Sequence, residues 1–271
     1  MATKFIKYEN ALLKIAGQDI LANSATLSIE ASLDPVVDVT GEVIRYVPNA
    51  PVRGTLSFTH YCTGSFHDFL NPTTAIEHTG EPFNGSFAGV EFGSGYIKSL
   101  SFDVRPFQPI VFNSEIDIYG ELTQLTDGGD SSTYLKDNQS YPENFQFHHG
   151  LKSYLAGDDL GVNNKVSFSY SAQASRNPVV TIGNELPYRV TKENVKINMS
   201  IEGEDFGNIL KFSGNQASIR ANIYGVYGDS VAQEFGCTGQ VYANELTASA
   251  GGYMQGNLSI GQEYLTGKAA V

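Results

Sequence analysis

The stretch "ASLDPVVDVTGEVIRYV" (Ala31–Val47) returns as "ASRNPVVTIGNELPYRV" (Ala174–Val190). Pro35 and Pro178 head the matching "PVV" runs, 143 residues apart in a chain of 271. Solenoid repeats recur every ~20–50 residues. A period of half the chain is instead long enough for one packed domain with its own core, written twice.

The likeness extends both ways from this stretch. Upstream, "IAGQDILANSATLSIEAS" (Ile15–Ser32) parallels "LAGDDLGVNNKVSFSYSAQAS" (Leu155–Ser175), each an Ala-Gly turn followed by an alternating strand. Leu27, Ile29 and Ala31 share one face of the first strand, as do Val166, Phe168, Tyr170 and Ala172 in the second, the pattern of a half-buried strand. Downstream, "VRGTLSFTHYCTGSFHDFL" (Val52–Leu70) parallels "NVKINMSIEGEDFGNIL" (Asn194–Leu210), matching the inward positions Leu56, Phe58 and His60 to Ile197, Met199 and Ile201. A short helix is expected next in each copy. Ser65 with Asp68 caps the first and Glu204 and Asp205 favour the start of the second, with Phe66/Leu70 and Phe206/Leu210 on one face. The copies close on strand pairs, "GYIKSLSFDV" with "SEIDIYGEL" and "GQVYANELTA" with "GNLSIGQEYL". The expected organisation is a domain at 1–125, a long loop or linker at 126–150 and a second domain at 151–271.

Composition agrees with an all-β chain. Phe (16), Tyr (15) and 28 Gly, with no Trp, favour strands and turns, and 41% hydrophobic residues suffice for a packed core. The balance of 17 basic against 29 acidic residues, net −12, argues against a surface built to neutralise nucleic-acid phosphates. Such a surface still suits a conduit along which DNA slides without sticking. The N-terminus lacks a signal-peptide run and no stretch approaches ~18 apolar residues, so a soluble chain made in a cytoplasm is expected. Cys62 and Cys237 stand far apart without metal-ligand spacing, and read as buried or half-buried thiols.

Catalytic and ligand motifs do not assemble from the residues. The adjacent His148 and His149 face opposite ways on a strand, and inward-facing His60 reads as a core residue. Asp127 and Asp130 in "TDGGD" lack the spacing of a calcium loop. The Gly267-Lys268 pair is followed by Ala269, not the hydroxyl a phosphate loop needs, and "FGSGY" (Phe92–Tyr96) reads as a turn without a βαβ setting. The chain reads as a non-enzyme with no catalytic, cofactor or metal residues. Arg45 in "VIRYV" and Arg189 in "PYRV" are the charged pair retained at nearly equivalent places. With Tyr46 and Tyr188 beside them they are the candidate inter-subunit contacts, because the rigid guanidinium fork suits bidentate pairing with a neighbour's carboxylate.

Each copy thus runs "(I/L)AG(Q/D)D", an alternating strand into "AS-x-(D/N)-PVV", an arm with Gly41 or Gly183 and an Arg, a second strand, a short helix and closing strands. This layout resembles the tail-tube domain of tailed bacteriophages and related injection machines, over nearly the whole chain except the linker and termini. The resemblance implies two tandem antiparallel β-sandwich or barrel domains, each flanked by one helix, with arms at Val36–Val52 and Val179–Asn194 that contact neighbours. It further implies stacked homo-oligomeric rings, of three chains in a pseudo-sixfold circle or of six. They would sit in the virion tail, assembled in the host cytoplasm beside other tail proteins, with double-stranded DNA passing through the lumen and no membrane partner. The competing readings are another virion structural protein (a tube initiator, a baseplate or neck ring, a capsid decoration protein), a carbohydrate-binding β-sandwich, and last a hydrolase using His148 or His149.

Overall fold

The computed structural model describes residues 13–20, 22–51, 53–61, 82–105, 108, 110–124, 150–155, 158–159, 165–204, 216–224, 231–248, 250 and 255–265. The described residues are all-β, with no helix among them. The expected helices at Ser65–Leu70 and Asp205–Leu210 fall outside them, as does the expected linker apart from Gly150.

The strands of the first half are β1 (Leu13–Ile15), β2 (Gln18–Ile20), β3 (Ala22–Glu30), β4 (Leu33–Val37), β5 (Val43–Pro48), β6 (Arg53–Tyr61), β7 (Phe83–Phe87), β8 (Val90–Val104), β9 (Val111–Ile118) and β10 (Leu122–Gln124). Those of the second are β11 (Gly150–Leu155), β12 (Asp158–Asp159), β13 (Lys165–Val179), β14 (Arg189–Glu204), β15 (Gln216–Tyr224), β16 (Val231–Thr247) and β17 (Gln255–Leu265). Fifteen of them form one antiparallel sheet, and β4 and β5 form a separate two-stranded hairpin.

Across the sheet the first half reads β3-β6-β9-β8-β7-β1-β2 and the second β13-β14-β17-β16-β15-β11-β12. Taken in chain order, the two halves use the same strand order. Local details repeat as well. The pair Ile15↔Gln18 encloses a two-residue turn, and Leu155↔Asp158 is the matching pair of the second half. A β-bulge follows Ile97 in β8 and Val241 in β16, and those residues pair with Ile116 and Ile260. The Ala-Gly turn at Ala16-Gly17 has both residues in the left-handed region (φ 50 and 79), as does Ala88-Gly89 between β7 and β8 (φ 51 and 84). Two-residue hairpins of the primed type demand that geometry, and Gly supplies it at the second place.

Two expectations are corrected. Leu56 faces Ile116 while Met199 faces Ile260, so Met199 is the counterpart of Leu56, Ile201 that of Phe58 and Gly203 that of His60. The match of His60 to Ile201 was two residues out, because a slip of two preserves every inward and outward position. Phe92–Tyr96 is not a turn but part of β8, where Ser94 (φ 50) kinks the strand. Gly93 lies so close to the neighbouring chain that a Cβ on Gly120 would stand 2.4 Å from its carbonyl oxygen. Gly120 permits this close backbone approach.

The halves join where β8 pairs with β13, from Ser99↔Gln173 to Val104↔Phe168. This placement follows from alternation. Phe168, Tyr170, Ala172 and Ala174 point into the core from β13, and Leu100, Phe102 and Val104 do so from β8. Phe102 stacks on Tyr170 (5.4 Å between centroids) and packs on Phe112 (4.8 Å) and Phe168 (5.9 Å). The buried side chains of both halves form one cluster across this seam. Phe102→Ala is therefore expected to cost about 3–5 kcal/mol and to lower the denaturation midpoint of both halves together. Urea titration followed by circular dichroism and by segment-resolved hydrogen exchange checks this, and unfolding confined to one half would contradict it.

Candidate assembly surface

Two hairpin arms carry the candidate residues. The first is β4–β5; the second is the shared end of β13 and β14, from Pro178↔Val190 and Val179↔Arg189 to the connecting turn. The sequence folds this way because each arm is rich in β-branched residues up to a glycine with positive φ, Gly41 (86) and Gly183 (89). A Cβ at either glycine would meet nothing within 4 Å, so the requirement there is conformational and not steric.

The first turn is tied by one carboxylate. Asp38 Oδ1 accepts from the Thr40 hydroxyl (2.5 Å), the Thr40 amide (2.8 Å) and the Glu42 amide (3.0 Å), and the Gly41 amide donates to the Asp38 carbonyl (3.1 Å). These bonds, that of the Thr40 hydroxyl foremost and the Glu42 amide next, hold the Asp38 carboxyl below the usual aspartate range. At the arm's base, Asn49 donates to Asp34 (2.7 Å). In the second arm the Asn184 amide donates to the Thr181 carbonyl (3.2 Å), and its side chain donates to the Thr181 hydroxyl (2.6 Å).

Arg45 pairs across its arm with Val36, and Arg189 with Val179. Val36 and Val179 are the same member of the two "PVV" runs, so the arginines occupy matching register positions. Both are exposed, and among the described residues neither has an ion-pair partner. The tyrosines do not match. Tyr46 faces Pro35, which makes Val190, facing Pro178, its counterpart, while Tyr188 precedes Arg189 and donates its amide to the Val179 carbonyl (2.9 Å). Tyr46 and Tyr188 are 62% and 78% exposed.

Sequence reasoning missed the apolar character of the arms. Of the thirteen large apolar side chains exposed among the described residues, eleven lie between Leu33 and Tyr46 or between Val179 and Tyr188. Isolated exposed apolar residues need no explanation, but a concentration on two projecting hairpins marks a contact surface. Val39 and Ile182, at the tips, are fully exposed. The available signal was an apolar β-branched residue within two places of each tip glycine, Val39 before Gly41 and Ile182 before Gly183, where turns ordinarily carry polar residues.

The second arm is anchored at its base by Arg176, which lies opposite a β-bulge at Glu193 in β14. Its guanidinium lies over the Tyr96 ring (5.0 Å) and donates to the Ile97 carbonyl at the β8 bulge. Burial draws its pKa below the usual arginine value, opposed first by the charge of Asp117, which itself pairs with Arg53 at 2.6 Å. The counterpart of Arg176 in the first arm is Leu33, half exposed.

Of the remaining sequence candidates, His60 is buried and stacked on Phe112 (5.3 Å) beside Phe58, and Cys237 is buried. Cys62, Asp127, Asp130, His148, His149, Gly267 and Lys268 lie outside the described residues. Among the described residues no group of three or more His, Cys, Asp or Glu could hold a metal ion, and no helix is long and apolar enough to cross a membrane. No protein-family model matches the chain, and no curated protein sequence does.

The Asp38 cap gives the first arm a defined pH dependence. Because folding lowers this pKa, the carboxylate's contribution is complete above the unfolded value of about 3.9 and is lost as pH falls through the lower folded value. The Thr40 and Glu42 amide resonances are therefore expected to titrate together with a midpoint below that of free aspartate. Asp38→Asn should remove the transition, which an NMR pH titration measures.

Proposed function

We propose that this chain is a self-assembling structural subunit of a tailed-phage tail tube, built from two copies of a tail-tube-like domain and without enzymatic activity. The observation that carries the reading is the concentration of exposed apolar residues on two arms projecting from two strand sets of the same order. A repeated unit with an adhesive arm supplies repeated contacts, and repeated contacts related by a constant rotation close into rings.

In this reading the copies span 1–125 and 151–271, and rings of three or six chains stack into a conduit. Arg45 and Arg189 select a carboxylate on the neighbour, and Tyr46 and Tyr188 add broad contact area beside them. The net charge of −12 repels DNA phosphates at short range, so the genome passes without binding. The site of action is the virion tail, after assembly in the host cytoplasm.

Negative-stain electron microscopy and mass photometry across a concentration series test the reading. Hollow rings or tubes are expected, with mass steps of three or six times the 29.3 kDa chain; a persistent monomer at high concentration would overturn it. A single ring that never stacks would point instead to a connector or baseplate role. The double variant Arg45→Glu, Arg189→Glu is expected to leave folding stability within about 0.5 kcal/mol while weakening association at least ~10-fold, measured by thermal unfolding and mass photometry on the same samples.

A further inference from the structure

The seam inside the chain has an unused counterpart at each end. In β8 the residues before the bulge pair with β7 on one flank, and those after it, Ser99–Val104, pair with β13 on that same flank. In β16 the residues before the equivalent bulge pair with β15. Those after it, Ala243–Thr247, pair with β17 on the other flank and have no strand beside them on this one among the described residues. Likewise β13 is covered on both sides, by β14 and β8, whereas its counterpart β3 is paired among the described residues only with β6.

Burial marks the same two edges. Phe168, Tyr170 and Ala172 are buried in β13, but Ala25 and Leu27 in β3 are only half-buried and Ile29 is 54% exposed. Outside the arms, two large apolar side chains are exposed among the described residues. One is Ile29, on the free flank of β3; the other is Tyr242, at the bulge where the free flank of β16 begins.

We propose that β3 of one copy pairs antiparallel with the free flank of β16 of the next copy, in the register the chain already uses between β13 and β8. Transferring that register through the matched bulges sets Thr26 opposite Thr247, Leu27 opposite Leu246, Ser28 opposite Glu245, Ile29 opposite Asn244 and Glu30 opposite Ala243. Leu27 and Leu246 then take the places of the stacked Tyr170 and Phe102. Both are half-buried against the core in the single chain and become covered. Leu33, the counterpart of Arg176, meets the β16 bulge beside Tyr242. The contact joins unlike edges, so it is head-to-tail and propagates from copy to copy. It rests on the reading of the chain as self-assembling and adds the edges and register that carry the association.

The test uses the full-length chain. Ser28→Cys and Glu245→Cys are made singly and mixed under mild oxidation, with the unmodified chain as control for Cys62 and Cys237. A disulfide-linked dimer is expected at least ~10-fold faster than from Glu30→Cys mixed with Thr247→Cys, a pair ~13 Å out of register and beyond disulfide reach. Equal or faster coupling of the out-of-register pair, or no coupling at any concentration, overturns the register. Ile29→Lys is expected to retain the circular dichroism spectrum and lower association at least ~10-fold; unchanged association overturns the edge. Hollow rings without the 28–245 link leave the tube reading standing and remove this pairing, whereas the link without hollow rings does the reverse.

Discussion

The short ladder between β8 and β13 is the constraint on which the lateral organisation of the molecule depends. Without it the two strand sets would each end in an open edge and would share no core. With it Phe102, Phe112, Phe168 and Tyr170 come from both halves into one aromatic cluster. The ladder fits because β8 carries a bulge between Ile97 and Ser99, which separates the residues serving its own set from those reaching the next. Bulges bend a strand and increase its twist, so one long strand can serve two neighbours on the same flank. Arg176 closes the end of the ladder by donating to the Ile97 carbonyl at that bulge and lying over Tyr96.

The same strand position occurs in two environments. Where β13 is covered on both flanks, its inward residues are Phe168, Tyr170 and Ala172; where β3 has, among the described residues, a strand on one flank only, they are Ala25, Leu27 and Ile29. At two of the three matched positions aromatic surface (Phe168, Tyr170) stands where folding itself covers it and smaller aliphatic surface (Ala25, Leu27) where it does not; at the third the order is reversed, Ala172 against Ile29. The arms follow a comparable division. The second is seated by a half-buried arginine, while the first carries Leu33 at that place and is a hairpin of its own beyond β3 and β6. An exposed edge and a detached apolar hairpin are liabilities in a monomer, and their presence in the same half of the chain gives that half the features of a receiving surface.

Much of this was legible in the residues, for identifiable reasons. The repeat of "PVV" and of the Ala-Gly turn located the corresponding hairpins because proline and positive-φ glycine positions are set locally. The alternation in Leu56, Phe58 and His60 located a strand and its inward face, but not its register, since a shift of two leaves the pattern intact. Phe92–Tyr96 was misread because Gly-Ser-Gly signals a turn locally, whereas here those residues continue β8, and it is Gly120 opposite that lets the two backbones come close. The placement of Arg45 and Arg189 opposite the same valine was half visible, as equal spacing from "PVV", and needed the pairing to become definite. The sheet edges were not visible at all. Whether a strand is interior depends on which strands from the other half arrive beside it, and that information is non-local.

Charge then separates the forces that build the proposed assembly from those that restrain it. Each copy brings −12, so like chains repel as they approach. At physiological ionic strength that repulsion is largely screened beyond ~8 Å, whereas strand pairing and apolar contact act only at van der Waals range. An approach that brings one arm against an arbitrary surface gains little at short range and still meets the repulsion. An approach that seats an arm and pairs an edge in register gains the backbone bonds, the burial of residues such as Ile29 and Tyr242, and a carboxylate for Arg45 or Arg189. With 29 acidic residues against 17 basic ones in each chain, a second copy offers many carboxylates, so in the proposed assembly the arginines would add selectivity for this chain as its own partner. The acid excess proposed to keep DNA from adhering would thereby also keep two exposed apolar arms from adhering to the wrong surface.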